Sequence, residues 1–131
     1  MNRRYFALAL SFLLLSFALV GCGKGGPGKR DVTGTVKFDG QDVADGDIVF
    51  TPDDKSVGAE GGKIKDGKYT IKARDGKNKV EVRATRLVPG KKGPMGEDAS
   101  EMYVPEKYNL KTELTADISA DKTEHNFDLK K

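Results

Sequence analysis

The sequence predicts an all-β fold, an antiparallel seven-stranded Greek-key-like sandwich, behind a leader and a flexible tether. Three observations carry that expectation. From Asp31 onward apolar and polar residues alternate with a period of two. Asp-Gly pairs punctuate the alternating runs, and no segment after Cys22 has the 3.6-residue periodicity of an amphipathic helix. Alternation marks strands with one face in a core and one in water.

In order, Val32, Gly34, Val36 and Phe38 alternate with Thr33, Thr35 and Lys37. Ile48 and Phe50 sit one residue apart within Asp47 to Pro52, and a short strand is expected near Gly62 to Lys65. Tyr69, Ile71 and Ala73 form the next row, then Val80, Val82 and Ala84. Leu114, Ala116 and Ile118 make another, and His125, Phe127 and Leu129 the last. Turns are expected at Asp39-Gly40, Asp45-Gly46, Asp66-Gly67 and Asp75-Gly76, because glycine accepts positive φ and aspartate tolerates it. Two sheets burying their alternating faces against each other would give a core without disulfides. Phe50, Tyr69, Ile71, Val80, Val82, Leu114, Ile118 and Phe127 are its expected members.

The stretch from Leu87 to Lys111 reads as a long loop, well beyond the usual hairpin connection. Pro89 to Asp98 is rich in glycine, proline and charge and is expected to be mobile. Met102 to Tyr108 instead gathers apolar and aromatic residues around Pro105. Tyr103, Pro105 and Tyr108 are therefore candidate partner-contact residues. The other reading has the two tyrosines folding back over an open sandwich edge.

The amino terminus carries a different signal. Arg3 and Arg4 precede an apolar run from Tyr5 to Val20, interrupted only by Ser11 and Ser16. That is the layout of a secretory signal peptide, and the run is short for a spanning helix. It ends in Leu19-Val20-Gly21-Cys22, which resembles the lipobox of bacterial lipoproteins. The resemblance implies diacylglycerol on the Cys22 thiol, cleavage before Cys22, and acylation of the new terminus. Two or more acyl chains anchor stably where one does not. Residues 1–21 are then a discarded peptide and 22–30 a lipidated, glycine-rich tether. Gly23 stands where many lipoproteins retained in the inner membrane have aspartate, so the resemblance implies an outer-membrane destination. Removing Arg3 and Arg4 leaves 21 basic against 20 acidic residues, interspersed in sign. No basic patch remains for a nucleic acid.

Within residues 31–131, Val32-Thr33-Gly34-Thr35-Val36 and Phe38-Asp39-Gly40-Gln41-Asp42-Val43, running on to Ile48-Val49-Phe50, carry a second resemblance. With Asp66-Gly67-Lys68-Tyr69-Thr70-Ile71 and Lys79-Val80-Glu81-Val82, they resemble carboxypeptidase regulatory-like, or transthyretin-like, domains. The resemblance spans about Asp31 to Thr85. It implies a non-enzymatic β-sandwich accessory module.

No catalytic constellation emerges. A nucleophilic triad needs an oriented base, and His125 is the chain's one histidine, on a strand face with Phe127 and Leu129. A packed histidine is the expected reading. Hydroxyisourate hydrolases of the transthyretin fold use several histidines and a characteristic terminal tetrapeptide. Zinc carboxypeptidases need a histidine-rich site. Neither pattern is present. Asp45 with Asp47, or Asp53 with Asp54, offers oxygen ligands of the kind calcium takes, without a helix-flanked loop around them. Aspartate beside a turn more commonly caps its own backbone, so no cofactor or metal is expected. The expected function is a non-catalytic binding or adhesion module of the cell envelope, tethered to membrane lipid through Cys22. Its partner would be another envelope protein or a glycan. The alternative is a structural envelope protein without a specific ligand.

Overall fold

Each alternating run becomes a strand in the computed structural model, which describes residues 28–131. The leader, Cys22 and most of the tether lie outside the described residues. The strands are β1 (Lys29–Phe38), β2 (Gln41–Asp42), β3 (Asp45–Pro52), β4 (Glu60–Lys65), β5 (Lys68–Arg74), β6 (Gly76–Arg83), β7 (Thr85–Lys92), β8 (Asp98–Met102), β9 (Thr115–Ile118) and β10 (Phe127–Leu129). A single 3-10 turn, Glu106–Tyr108, is the helical element among the described residues. Lys29 and Arg30, assigned to the tether from sequence, pair with Arg74 and Ala73 as the first residues of β1.

One sheet runs β10-β1-β5-β4-β3-β6-β9, with β2 paired to β1. All its ladders are antiparallel except β1 with β10, where Val36, Lys37 and Phe38 lie parallel to Phe127, Asp128 and Leu129. That pair departs from the all-antiparallel expectation. The last strand enters from the Lys122–His125 segment in the same direction as β1, and Thr33 already bridges Glu124 in parallel.

The sheet cannot be flat. Phe50 on β3 and Phe127 on β10 are four strands apart in the order. At about 4.8 Å per strand a flat sheet would hold them about 19 Å apart. Their ring centroids are 6.4 Å apart, and Tyr69 on β5 lies 6.0 Å from Phe50 and 6.3 Å from Phe127. The sheet therefore curls, with these three rings inside. The seam is at β4–β5, where pairing stops after Ile64 with Tyr69 and Lys65 with Lys68. Beyond it β4 continues along β3, and β5 along β1. Gly62 on β4 then comes so near β5 that a Cβ there would meet Ile71 Cβ at 3.3 Å.

Val32, Val36, Ile48, Phe50, Ile64, Tyr69, Ile71, Val80, Val82, Ile118, Phe127 and Leu129 are buried inside the curl. Of the expected core, Leu114 alone is only partly buried, packed against the cluster from just outside β9. Burial raises the Tyr69 phenol pKa, and its hydroxyl donates to the His125 carbonyl at 2.7 Å.

Two of the four Asp-Gly pairs form the expected turns. Asp39-Gly40 (φ 49° and 81°) closes β1 onto β2, and Asp66-Gly67 (φ 49° and 71°) closes β4 onto β5. Both residues of a two-residue type I′ hairpin need positive φ, which this dipeptide supplies. Asp45-Gly46 is not a turn. It opens β3, and a Cβ on Gly46 would stand 2.7 Å from the Arg83 carbonyl oxygen. Close backbone approach, not turning, is what glycine provides there. Asp75-Gly76 is a corner between strands that do not pair: β5 and β6 are three places apart in the sheet, joined through Asp75 alone.

The expected loop from Leu87 to Lys111 is the largest correction. Its first part is a paired hairpin, β7 with β8, matching Thr85 to Met102, Arg86 to Glu101 and Leu87 to Ser100. Pro89 and Gly90 fall where the register shifts before Lys92 meets Asp98. Proline and glycine belong at such irregularities and do not prevent pairing on either side. The hairpin touches the rest of the fold only sparsely and stands out as an arm.

Candidate functional site

A cleft of about 500 Å³ opens where the arm leaves the sheet. Phe38 at the end of β1, the Asp39–Asp42 hairpin, Ala44 and Asp45 form one wall; Thr85, Arg86 and Tyr103 form the other, with Lys131 at the margin. The period of two explains the floor. Phe38 follows Val32 and Val36 on the inward face of β1 but lies past the core, so its ring is only partly covered. Tyr103 completes the cover, edge-on to Phe38 with centroids 5.5 Å apart and planes at 69°. Edge-to-face packing suits the aromatic quadrupoles.

Tyr103 is held from three sides. Its backbone N–H donates to the Ala84 carbonyl at 3.2 Å, closing the base of the arm. The Arg86 guanidinium sits 5.7 Å from its ring centroid and donates twice to Glu101 Oε1, at 2.9 and 2.7 Å. Burial raises the Tyr103 phenol pKa, partly opposed by Arg86 and assisted by Asp45. Around the opposite rim, Asp39 Oδ1 accepts from the Lys131 backbone N–H at 3.1 Å, and Lys37 approaches Asp42 at 4.0 Å. The cleft thus offers an aromatic floor with carboxylates on one side and a guanidinium on the other. That chemistry can grip a guest by stacking and hydrogen bonds.

Of the three contact residues expected from sequence, Tyr103 lines the cleft, and Pro105 and Tyr108 do not. Pro105 leads into the 3-10 turn. Tyr108 packs against the core, and its hydroxyl accepts from the Lys130 backbone N–H at 2.9 Å. Sequence reasoning missed Asn109, the buried side chain that shapes this segment. Its Nδ2 donates to the Val104 and Pro105 carbonyls, both at 3.2 Å, and approaches Met102 Sδ at 3.4 Å. A lone asparagine among apolar and aromatic neighbours was the available signal. Phe38, Asp39, Asp42 and Arg86 were also missed: Phe38 and Asp39 were read as strand and turn, and Asp42 and Arg86 carried no signal of their own.

His125 is buried beside β1. Its N–H donates to the Thr33 carbonyl at 2.9 Å, and Nε2 lies 3.3 Å from the Lys122 carbonyl. The four aspartates weighed for calcium are scattered. Asp45 lines the cleft, and Asp47 pairs with Lys63 at 2.6 Å. Asp53 is exposed. Asp54 accepts from the Ser56 backbone N–H at 2.9 Å, and hydrogen bonds from Ser56 hold its carboxyl below the usual range. Among the described residues no three His, Cys, Asp or Glu side chains are placed to hold a metal ion.

The fold and site define an all-β domain on one curled, largely antiparallel sheet, with a cleft at the base of a hairpin arm. No protein-family model and no curated protein matches the chain. Among solved structures it is similar to a 9R-lipoxygenase from Cyanothece PCC8801, at 12% identity and a TM-score of 0.35. The alignment covers 78% of this chain and 16% of that one, so the chain spans about a sixth of the lipoxygenase. A likeness at that score carries no argument about activity.

Proposed function

We propose that the protein is an exported lipoprotein, acylated on Cys22, whose domain is a non-catalytic binding or adhesion module of the cell envelope. The outer membrane is the favoured site of anchoring, and another envelope protein or a glycan the favoured partner. The curled sheet, with its seam at β4–β5, supports assignment to the transthyretin-like, Greek-key sandwiches that the motifs resemble.

The cleft at Phe38, Arg86 and Tyr103 is the observation that carries the binding reading. Its place supports the tethered one. The tether joins β1 at Lys29, whereas the cleft begins at Phe38, the other end of the same strand. Ten extended residues separate those ends by about 30 Å. A chain anchored beside Lys29 holds its cleft away from the lipid.

The packing of both tyrosines favours a second reading, in which they cover the core of a structural protein without a ligand. Crosslinking and capture on intact cells, with Tyr103→Ala and Tyr108→Ala compared, separates the two. A binding cleft predicts that Tyr103→Ala abolishes capture per folded molecule, with Tyr108→Ala retaining it. Half-burial limits the stability cost of Tyr103→Ala to about 1 kcal/mol. Capture unchanged by Tyr103→Ala, with a lowered melting temperature, would make the ring a structural cover only.

A further inference from the structure

Four large apolar side chains are exposed among the described residues: Leu87, Met95, Met102 and Leu110. Two of them, Leu87 and Met102, share one side of the arm. The ladder sets Thr85 opposite Met102 and Leu87 opposite Ser100, so Leu87 and Met102 are diagonal neighbours on one face. Arg86 and Glu101 occupy the other face, the one turned to the cleft. Met102 Sδ touches Asn109 Nδ2, and Leu110 is the next residue. Leu87, Met102 and Leu110 remain 64%, 52% and 74% exposed. A two-stranded ribbon is marginal in water without cover, and grouped exposed apolar side chains mark contact surfaces.

The charges on the same face specify the cover. Alternation along β8 puts Asp98, Ser100 and Met102 on one side, and Lys92 of β7 is ion-paired with Asp98. This face therefore has an apolar base and, toward the tip, one cation on β7 beside one anion on β8. Turning a second arm about a two-fold axis parallel to its strands lays β7 over the partner's β8. Leu87 then lies over Ser100 of the other copy and Met102 over its Thr85, a large side chain facing a small one each time, and Lys92 meets its Asp98, each contact occurring twice. The surface is self-complementary in charge and in side-chain size, as an isologous interface requires.

We infer that this face of the β7–β8 arm is the docking surface for a second copy of the chain. The two arms stack face to face, leaving the Arg86–Tyr103 cleft of each copy open. This surface meets the proposed ligand cleft only at Thr85 and stands whether or not that cleft binds.

The test uses the Cys22→Ser chain starting at residue 22, which keeps every described residue and cannot crosslink through a thiol. Sedimentation from about 10 µM to about 1 mM covers the range of small interfaces. A reversible monomer–dimer equilibrium is expected. Leu87→Lys should weaken it at least about tenfold while the melting temperature holds, since Leu87 is exposed and lies outside the core cluster. Lys92→Asp leaves two acids on this face of the tip, and Asp98→Lys leaves two bases. Each variant alone should stay monomeric, and an equimolar mixture should associate. A monomer throughout the range, or a mixture that fails to associate while both variants remain folded, would overturn the inference. So would Leu87-dependent binding to phosphatidylglycerol vesicles by a protein that never dimerises, which would assign the strip to lipid.

Discussion

Replacing Phe50 by alanine is expected to remove about 3 to 5 kcal/mol of stability, the usual cost of deleting a central aromatic side chain. Phe50 is fully buried on β3, between Glu60 on β4 and Val80 on β6, and its ring meets both Tyr69 and Phe127. It therefore joins parts of the sheet that hydrogen bonding alone leaves four strands apart. With net stability near 5 to 15 kcal/mol for a domain, that loss is a large fraction. Lys72→Ala is the control. Lys72 pairs with Asp31 at 2.8 Å, but both side chains are about two-thirds exposed, and such pairs contribute about 0 to 1 kcal/mol. Urea melts of the two variants should differ clearly. Similar midpoints would mean that the inward and outward faces of these strands have been exchanged.

Gly34→Ala is expected to be as damaging, for a different reason. A Cβ at residue 34 would lie 1.8 Å from the His125 carbonyl oxygen and 2.9 Å from the Tyr69 ring. The carbonyl is backbone, held in place by the Tyr69 hydroxyl and by the His125 N–H bond to Thr33. It cannot yield as a flexible side chain would. Overpacking commonly costs about 1 to 3 kcal/mol, and a collision with fixed backbone belongs at or above the upper end. Gly34→Ala should also free the segment before β10, so amide exchange at His125 and Phe127 should accelerate. A variant with native melting and unchanged exchange would contradict the close approach of β1 to His125.

Alternation made the strands legible, because a residue's side of a strand depends only on its immediate neighbours. Tyr69, Ile71, Val80 and Val82 were placed correctly for that reason. Turn chemistry was legible where the dipeptide itself closes a hairpin, at Asp39-Gly40 and Asp66-Gly67. It misled at Asp45-Gly46, where glycine answers to the Arg83 carbonyl, a neighbour far away in sequence. The arm was hidden because its strands carry Pro89, Gly90 and exposed charges in place of an apolar row. With no core to face, no alternation marks it. The cleft was half legible. Tyr103 stood out as an aromatic beside a proline, whereas Phe38 and Arg86 become neighbours of Tyr103 only once the sheet curls and the arm folds out.

The anchor carries most of the functional proposal, and the intact mass of the protein recovered from membranes tests it most directly. The expected species begins at Cys22 and carries the added mass of a diacylglycerol and an amide-linked acyl chain. Cys22→Ser should yield unprocessed precursor or a soluble, unacylated chain, because a hydroxyl is a far poorer nucleophile than a thiolate for alkyl transfer. A mature chain beginning at another residue, or one beginning at Cys22 without acyl mass, would contradict the lipoprotein assignment.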